Sequence, residues 1–291
     1  MGKQIKMKRL FIVLAVALTS VSALRAYEFP GFEYTVGADL TTAYLWRGMN
    51  YGGLSLQPDV MVGYGGAQLE AWANLSPSDW KFTEFAPELD LTLSYSISGF
   101  TVGVTHQYYF DKTKYFDYRK PSLADYENGD YATNQTEVFA KMEFGELFES
   151  FPLTIMWATL VGGNDWRPLY EDANDPDKLT GIKQAYSSYL EVSYDFELPL
   201  GFSLTPTVGM TPWKSLYSYY EKNFAVNNIA LKLNWELEVA EHFAIDVYGI
   251  TSLNTAGVNK NNLFATTGNA YSNDMSSRHW NFALGVGIWL Y

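Results

Sequence analysis

The end of the chain alternates strictly between apolar side chains and polar or small ones. From Trp280 to Leu290 the even positions are all apolar, and the odd positions begin with Asn281 and include several small residues. This period of two residues predicts a β-strand with one apolar face. A long apolar strand at a sheet edge invites aggregation, whereas a closed barrel has no edge. The pattern therefore favours a barrel.

The same period recurs along the rest of the chain. Alternating runs bounded by Gly, Pro, Asn, Asp or Ser predict about twelve strands. They cover residues 34–47, 54–64, 67–75, 88–97, 100–110, 136–144, 153–161, 186–196, 202–210, 228–237, 243–253 and 280–291. An even number of strands lets the last strand pair with the first, so we expect both chain ends at one rim.

Short and long connections alternate between these strands. The short ones are 65–66, 98–99, 145–150, 197–201 and 238–242, and the long ones are 48–53, 76–87, 111–135, 162–185, 211–227 and 254–278. Short turns at one rim and long loops at the other are typical of outer-membrane barrels. The predicted fold class is all-β: a transmembrane antiparallel up-and-down β-barrel. A soluble β-sandwich also has many short strands, but not this regular alternation.

The amino end has the layout of a secretory signal. A basic segment and then a short apolar run fill the first eighteen residues, and small residues follow. The apolar run is shorter than the roughly twenty residues that a membrane-spanning helix needs, which favours a cleaved signal over an anchor. We expect residues 1–26 to be removed, with cleavage after Ala23 or Ala26, and residues 27–291 to form the barrel in a Gram-negative outer membrane.

Composition agrees with this compartment. The chain has no cysteine, so it has no disulfide framework. Aromatic residues make up 17% of it, as expected where Tyr and Trp rings lie among lipid headgroups. A net charge of -12 argues against nucleic acid as a partner. The expected partners are outer-membrane lipid and lipopolysaccharide, the outer-membrane assembly machinery and small polar solutes.

Charged side chains on the predicted strands are in phase with the polar face. A Lys or Arg facing the bilayer centre costs about 2–4 kcal/mol, so the polar face is predicted to be the lumen. The predicted pore-lining residues are Asp39, Arg47, Asp59, Glu70, Glu88, Asp90, Lys141, Glu191, Asp195, Lys232, Glu236 and Asp246. Glu137 and Glu143 add to the acids, which outnumber the bases and predict a preference for cationic or neutral solutes. Arg47 is in phase with Asp39 and could pair with a lumenal carboxylate, either as a structural ion pair or as a constriction.

Two functions remain open at this point. Barrels of eight strands are filled by side chains and those of sixteen or more hold a water channel, so twelve lies between them. The leading hypothesis is a porin-like channel for passive diffusion of small hydrophilic solutes through a narrow acidic lumen, partly filled by Trp72 and Tyr248. The alternative is a closed or plugged barrel whose long loops, 111–135, 162–185 and 254–278, bind a partner or ligand at the cell surface.

One stretch near the amino end carries a family resemblance. The segments AYLWRG at 43–48, LQPD at 56–59 and WAN at 72–74 resemble the amino-terminal region of the TorF-like porins, where an aromatic-x-aromatic-Arg-Gly strand precedes a strand with Pro and Gln. The resemblance covers the first two or three predicted strands, and the chain departs from the family pattern after Gly48. It implies an outer-membrane barrel with channel activity and poorly defined substrates.

Catalysis and metal binding find little support. A hydrolase needs a nucleophile beside a base, and the chain offers only His106, His242 and His279, none in a recognisable motif. His106 is in phase with the apolar face of its strand. Three histidines without cysteine do not favour a transition-metal site, and the acidic stretch 171–177 lacks the spacing of a calcium-binding EF-hand loop. We predict no enzyme, no metal and no cofactor.

The facing of the terminal aromatics stays open. The alternation puts Trp289 and Tyr291 in the lumen, whereas recognition of a terminal aromatic by the assembly machinery would turn them towards lipid. A one-residue shift moves every side chain to the other face. A bulge near residues 285–287 would therefore reconcile the two expectations.

Overall fold

Nearly all of the described chain is β-structure. The computed structural model describes residues 31–77, 85–110, 115–171, 179–218, 220, 222–255 and 280–291. The strands are β1 (Phe32–Thr41), β2 (Tyr44–Trp46), β3 (Met49–Gly52), β4 (Ser55–Tyr64), β5 (Ala67–Pro77), β6 (Phe85–Ile97), β7 (Phe100–Tyr109), β8 (Gln135–Glu143), β9 (Leu153–Gly163), β10 (Trp166–Tyr170), β11 (Leu179–Gln184), β12 (Ser188–Tyr194), β13 (Phe196–Leu198), β14 (Phe202–Thr211), β15 (Ala225–Ala240), β16 (Phe243–Leu253) and β17 (Trp280–Leu290). The helices are α1 (Leu123–Asn128) and three short 3-10 segments, Phe144–Glu146, Pro199–Gly201 and Leu216–Ser218.

Several sequence predictions fall outside the described residues. They include the signal peptide, His279 and most of the loop 254–278. Parts of the loop 76–87 and of the acidic stretch 171–177 also lie outside them. No helix within the described residues is long and apolar enough to cross a membrane.

The wall strands close into a ring. Their order is β12-β9-β8-β7-β6-β5-β4-β1-β17-β16-β15-β14, and β14 pairs with β12 to complete it. β13 follows β12 after Asp195 and pairs with the same neighbour, so β12 and β13 fill one of twelve positions. β17 pairs with β1, which leaves the terminal strand without a free edge. The predicted fold class, a transmembrane antiparallel up-and-down barrel, is confirmed.

The two rims differ as predicted. Phe32 at the start of β1 stands opposite Tyr64, and the end of β17 lies beside the start of β1. The first and last wall strands therefore begin and end at the rim that carries the short turns. We call it the short-turn rim. The connections after β1, β5, β7, β9, β14 and β16 leave from the opposite rim, which we call the long-loop rim.

The outer face of the wall is apolar. In β17 Phe282 and Leu284 are 68% and 67% exposed, whereas Asn281 and Ala283, which alternate with them, are buried. The outward positions of the other strands are likewise largely apolar, as with Leu69 on β5. This is the lipid-facing band expected of a membrane barrel.

The bulge expected near residues 285–287 is not present in β17. β17 keeps a regular register with both neighbours through these residues. Its glycines instead leave space for the inward rings of Tyr248 and Trp289. Tyr291 follows the strand, and its ring packs edge-on against His242 with centroids 6.3 Å apart. Trp289 is therefore inward, and no shift of phase is needed.

The first predicted strand, 34–47, is also wrong in its second half. β1 ends at Thr41, and β2 and β3 then form a separate hairpin before the wall resumes with β4. The turn is Arg47-Gly48, with φ angles of 50° and 81°. A type I′ turn requires positive φ at both central residues. A Cβ at Gly48 would also overlap the Asn227 carbonyl. Both the positive φ and this close approach therefore favour glycine at position 48.

Candidate functional site

The inner face of the barrel carries most of the charged strand residues. The strand register places one set of charged positions on the same face as Trp289 and opposite the apolar band. On the wall this set includes Asp39, Asp59, Glu70, Glu88, Asp90, Glu137, Lys141, Glu143, Glu191, Lys232, Glu236 and Asp246. Asp195 lies at the break after β12 and accepts a hydrogen bond from Thr205 Oγ1 at 2.6 Å. Arg47 alone among the predicted lining residues is not on the wall.

The inward carboxylates lie in cross-strand rows. Along one row Thr92 and Thr105 separate Glu70 from Glu137. The other rows join Asp59 through Trp72 to Asp90, and Asp39 through Gly287 to Asp246 and Glu236. Acidic groups therefore surround the lumen instead of clustering on one side of it.

A cavity of about 340 Å³ lies within these rows. Its acidic lining comes from Glu70, Asp90 and Glu137. Other lining groups are the polar side chains of Thr41, Gln57, Thr92, Thr105 and Gln107 and the rings of Tyr44, Trp46, Trp72 and Tyr248. Trp72 and Tyr248 thus reduce the lumen as predicted, and the hairpin β2–β3 supplies two further rings.

Several acceptor oxygens beside this cavity have no hydrogen-bond partner among the described residues. They are Asp90 Oδ1, Gln107 Oε1 and Glu88 Oε1. Gln107 is only 4% exposed, and its Nε2 donates to Asp90 Oδ2 at 3.4 Å, which leaves its oxygen free. Buried polar atoms are normally paired, so these three oxygens are open acceptor positions in the wall beside the cavity.

Arg47 pairs with Glu137 and not with Asp39, the residue with which it was predicted to be in phase. Arg47 Nη1 and Nη2 donate to the two oxygens of Glu137 at 2.5 and 2.7 Å. Both side chains are 7% exposed. Tyr217 Oη accepts from Arg47 at 2.5 Å and donates to Glu137 at 3.2 Å. The predicted pairing with a lumenal carboxylate is therefore present. The predicted position in phase with Asp39 is wrong, because the arginine stands at a hairpin tip and not on β1.

Aromatic rings surround the guanidinium. Its central carbon lies 4.4 Å from the ring centre of Trp46, 4.8 Å from that of Tyr189 and 5.2 Å from that of Tyr217. Met49, Tyr189 and Tyr217 form a buried cluster against which Trp46 also packs. Cation–π contacts of a desolvated arginine contribute about 2 kcal/mol. The tip of the hairpin is therefore packed inside the lumen.

Side-chain amides hold the hairpin turn from the long-loop side. Asn227 Nδ2 donates to the Arg47 carbonyl at 3.0 Å, and Asn254 Nδ2 donates to the Gly48 carbonyl at 3.2 Å. Asn281 Nδ2 also approaches the Gly48 carbonyl, at 3.4 Å. These bonds satisfy backbone groups that a tight turn leaves without ladder partners.

The other lumenal bases are arranged differently. Lys141 Nζ lies 2.9 Å from a Glu143 oxygen, and the two side chains are 33% and 40% exposed. Lys232 Nζ lies 4.8 Å from the ring centre of Tyr248. Of the three lumenal bases, Arg47 is thus the most deeply enclosed.

The two described histidines show no catalytic arrangement. His106 is outward, as predicted, and lies under Tyr115 and Phe116, with Nε2 2.8 Å from the Tyr115 carbonyl oxygen. Its Nδ1 lies 2.9 Å from Thr136 Oγ1. His242 occupies the turn between β15 and β16. Within the described residues no group of three or more His, Cys, Asp or Glu could hold a metal ion.

A buried carboxyl organises one of the long loops. Asp165 accepts from the backbone N–H of Ser187 at 2.8 Å, from the Ser187 hydroxyl at 2.5 Å and from Tyr220 Oη at 3.0 Å. Burial raises the pKa of Asp165 to about 6, although these hydrogen bonds oppose the rise. The loop therefore contains a group that titrates just below neutral pH.

Comparisons with known proteins add only distant likenesses. No family model matches the chain and no curated protein is similar to it, so the resemblance to the TorF-like porins stays a prediction. Among solved structures, an outer membrane channel from Pseudomonas putida F1 is 10% identical, with 90% of this chain and 96% of that one covered and a TM-score of 0.43. Salmonella typhi OmpF is 8% identical, with 89% and 97% covered and a TM-score of 0.38. Wzi, a carbohydrate-binding barrel of Escherichia coli involved in group 1 capsule assembly, is 9% identical, with 96% and 88% covered and a TM-score of 0.29.

Proposed function

We propose that the protein is an outer-membrane channel for passive diffusion of small hydrophilic solutes, neutral or cationic, through a narrow acidic lumen. The observation that carries the proposal is the acid-rich inner face around a cavity of about 340 Å³. The apolar outer band supports a membrane location. A signal peptide, as the amino end predicts, would deliver the chain to the outer membrane.

The chemistry of the lumen supports the solute class. Inward acids outnumber inward bases, and rings of carboxylates favour cations in membrane pores. Oxygen atoms in the cavity lining, including those of Glu70 and Asp90, can accept hydrogen bonds from ammonium or hydroxyl groups. Carboxylate-bearing solutes would meet repulsion from Glu70 and Asp90 in the cavity lining.

The hairpin β2–β3 supports the second candidate function. Its tip is buried among Tyr189, Tyr217 and Glu137, so it occupies part of the lumen near the long-loop rim. A barrel that this hairpin closes completely would not conduct. In that case the long loops would serve to bind a partner or ligand at the cell surface.

Single-channel recording in planar bilayers separates the two candidates. The mature protein, reconstituted from detergent, should give small conductance steps, and its reversal potential in a salt gradient should favour cations. Repeated silence from protein that retains its heat-resistant barrel migration on gels would overturn the channel and favour the closed barrel.

Charge removal tests which residues set the selectivity. Combined Asp90→Asn and Glu191→Gln substitutions should weaken cation selectivity, because each neutralises a carboxylate on the inner face. Glu149→Gln with Glu241→Gln is the matched control, since it also removes two carboxylates and both residues are exposed in turns at the short-turn rim. Selectivity that changes in neither variant would show that the lumenal carboxylates do not govern permeation.

A further inference from the structure

A basic cleft lies on the outer side of the long-loop rim. Arg167 and Lys183 are cross-strand partners in the hairpin β10–β11, and Lys214 lies shortly after β14. Together with Tyr186 and Trp213 these three cations line a cleft of about 620 Å³. The cleft shares no lining residue with the lumenal cavity, so it is a separate feature.

Within the described residues the three cations are not paired with carboxylates. Like charges that share a cleft repel each other, and an anion placed among them relieves that repulsion.

Tryptophan rings mark the level of the cleft on the barrel. The ring centre of Trp213 lies 5.9 Å from that of Trp157. Trp157 is on the outward face of β9 and is 38% exposed. The wall ends close by, because β12 begins at Ser188 opposite Thr159. Exposed tryptophans near a barrel rim lie at the membrane–water interface. The cations therefore lie at the level of lipid headgroups.

The rings also shape the cleft for a lipid. Trp213 is 40% exposed and Tyr186 is 54% exposed, and Trp213 Nε1 donates to the Tyr186 carbonyl at 2.9 Å. An amphipathic ring held in this way presents its apolar surface outward while its polar atom stays bonded. The cleft thus combines cationic groups with apolar surface that continues into the outer band of the barrel.

We propose that this cleft binds the phosphate group of a membrane lipid of the lipid A class. Arg167 and Lys214 are half-buried and would contact the phosphate, since arginine forms paired hydrogen bonds with phosphate oxygens and lysine supplies a point charge. The exposed rings would pack against the adjoining acyl chains. A membrane lipid is favoured over a free anion because the cleft opens beside the lipid-facing band.

Native mass spectrometry of the intact mature protein in a zwitterionic detergent tests the proposal. Lipid A and its dephosphorylated form are the probes, with inorganic phosphate as a third. Phosphorylated lipid A should be retained and the dephosphorylated form should not, and 0.5 M salt should weaken retention. Equal retention of both lipids, or binding of inorganic phosphate as tight as that of lipid A, would overturn the assignment.

Substitutions locate the binding. Lys183→Ala with Lys214→Ala should weaken lipid A binding roughly thirty-fold, from about 1 kcal/mol for each lysine near an anionic surface. Lys120→Ala with Lys222→Ala is the matched control, because it removes the same charge from residues that do not line the cleft. Equal losses in the two double variants would contradict the location. If the first variant does not fold, the comparison of the two lipids on the unmodified protein still decides, and none of these results depends on conductance.

Discussion

The buried Arg47–Glu137 pair makes the position of the hairpin testable through Glu137→Gln. Two unit charges about 4 Å apart attract by about 4 kcal/mol at an effective dielectric constant of 20. Both side chains are 7% exposed, so the substitution leaves a guanidinium enclosed without its counter-charge. Breaking a buried pair in this way costs about 3–5 kcal/mol. We expect the free energy of unfolding to fall by that amount.

Equilibrium unfolding in urea, with the barrel in lipid vesicles, measures this change. Tryptophan fluorescence is a suitable signal because Trp46 lies against the pair. Glu143→Gln is the matched control, since it breaks the Lys141–Glu143 pair, whose side chains are 33% and 40% exposed. An exposed pair contributes at most about 1 kcal/mol, so this control should change stability little.

Comparable losses from the two variants would refute the reasoning. If Glu137→Gln costs less than about 1 kcal/mol, water reaches the pair and the hairpin tip is not enclosed. Arg47→Gln combined with Glu137→Gln gives the corresponding double-mutant cycle. Additive effects of the two substitutions would show that the side chains do not interact.

Two further predictions concern the loop carboxyl and the closure of the barrel. The pKa of Asp165 is about 6 in the folded protein and near 4 in an unfolded chain, so the folded state binds the proton more tightly. The free energy of unfolding should therefore rise by up to about 3 kcal/mol as pH falls from about 7 to about 4. Asp165→Asn should remove this part of the pH dependence in a series of unfolding curves. Parallel pH dependence in the two proteins would contradict the prediction. Gly37→Ala should cost about 1–3 kcal/mol, since a Cβ there would overlap the Trp289 ring between the first and last strands. Gly53→Ala, where nothing lies within 4 Å, is the control, and equal thermal midpoints on gels would show that the strands do not meet as described.

The wall and its faces could be predicted from local pattern because both depend on the period of two. A strand in a membrane barrel must alternate between lipid and lumen, so each run of residues reports its own facing. Glu70 and Lys232, for example, lie on the inner face as their phase predicts. The ring closure followed from the same signal, since the terminal strand needs a neighbour on each side.

The hairpin could not be predicted in the same way. Alternation continues through residues 43–47 whether they extend β1 or turn back, so the period does not distinguish the two courses. The local signal that could have revealed it is Gly48, because a type I′ turn needs positive φ at both central residues and glycine adopts positive φ readily. The partners that hold the tip are distant in sequence: Glu137 lies 90 positions from Arg47 and Tyr217 lies 170 positions away. A local pattern contains no information about such contacts.

The enclosed arginine also bears on the charge that a solute would meet. A guanidinium in the open lumen would oppose cations, but Arg47 is neutralised by Glu137 and covered by three rings. Glu70 and Asp90 line the cavity without a salt bridge to a described base. The hairpin that narrows the lumen therefore also removes one of its few positive charges from the path. In the proposed channel, small size and cationic or neutral character would be selected by the same element, so loosening the hairpin should relax both together.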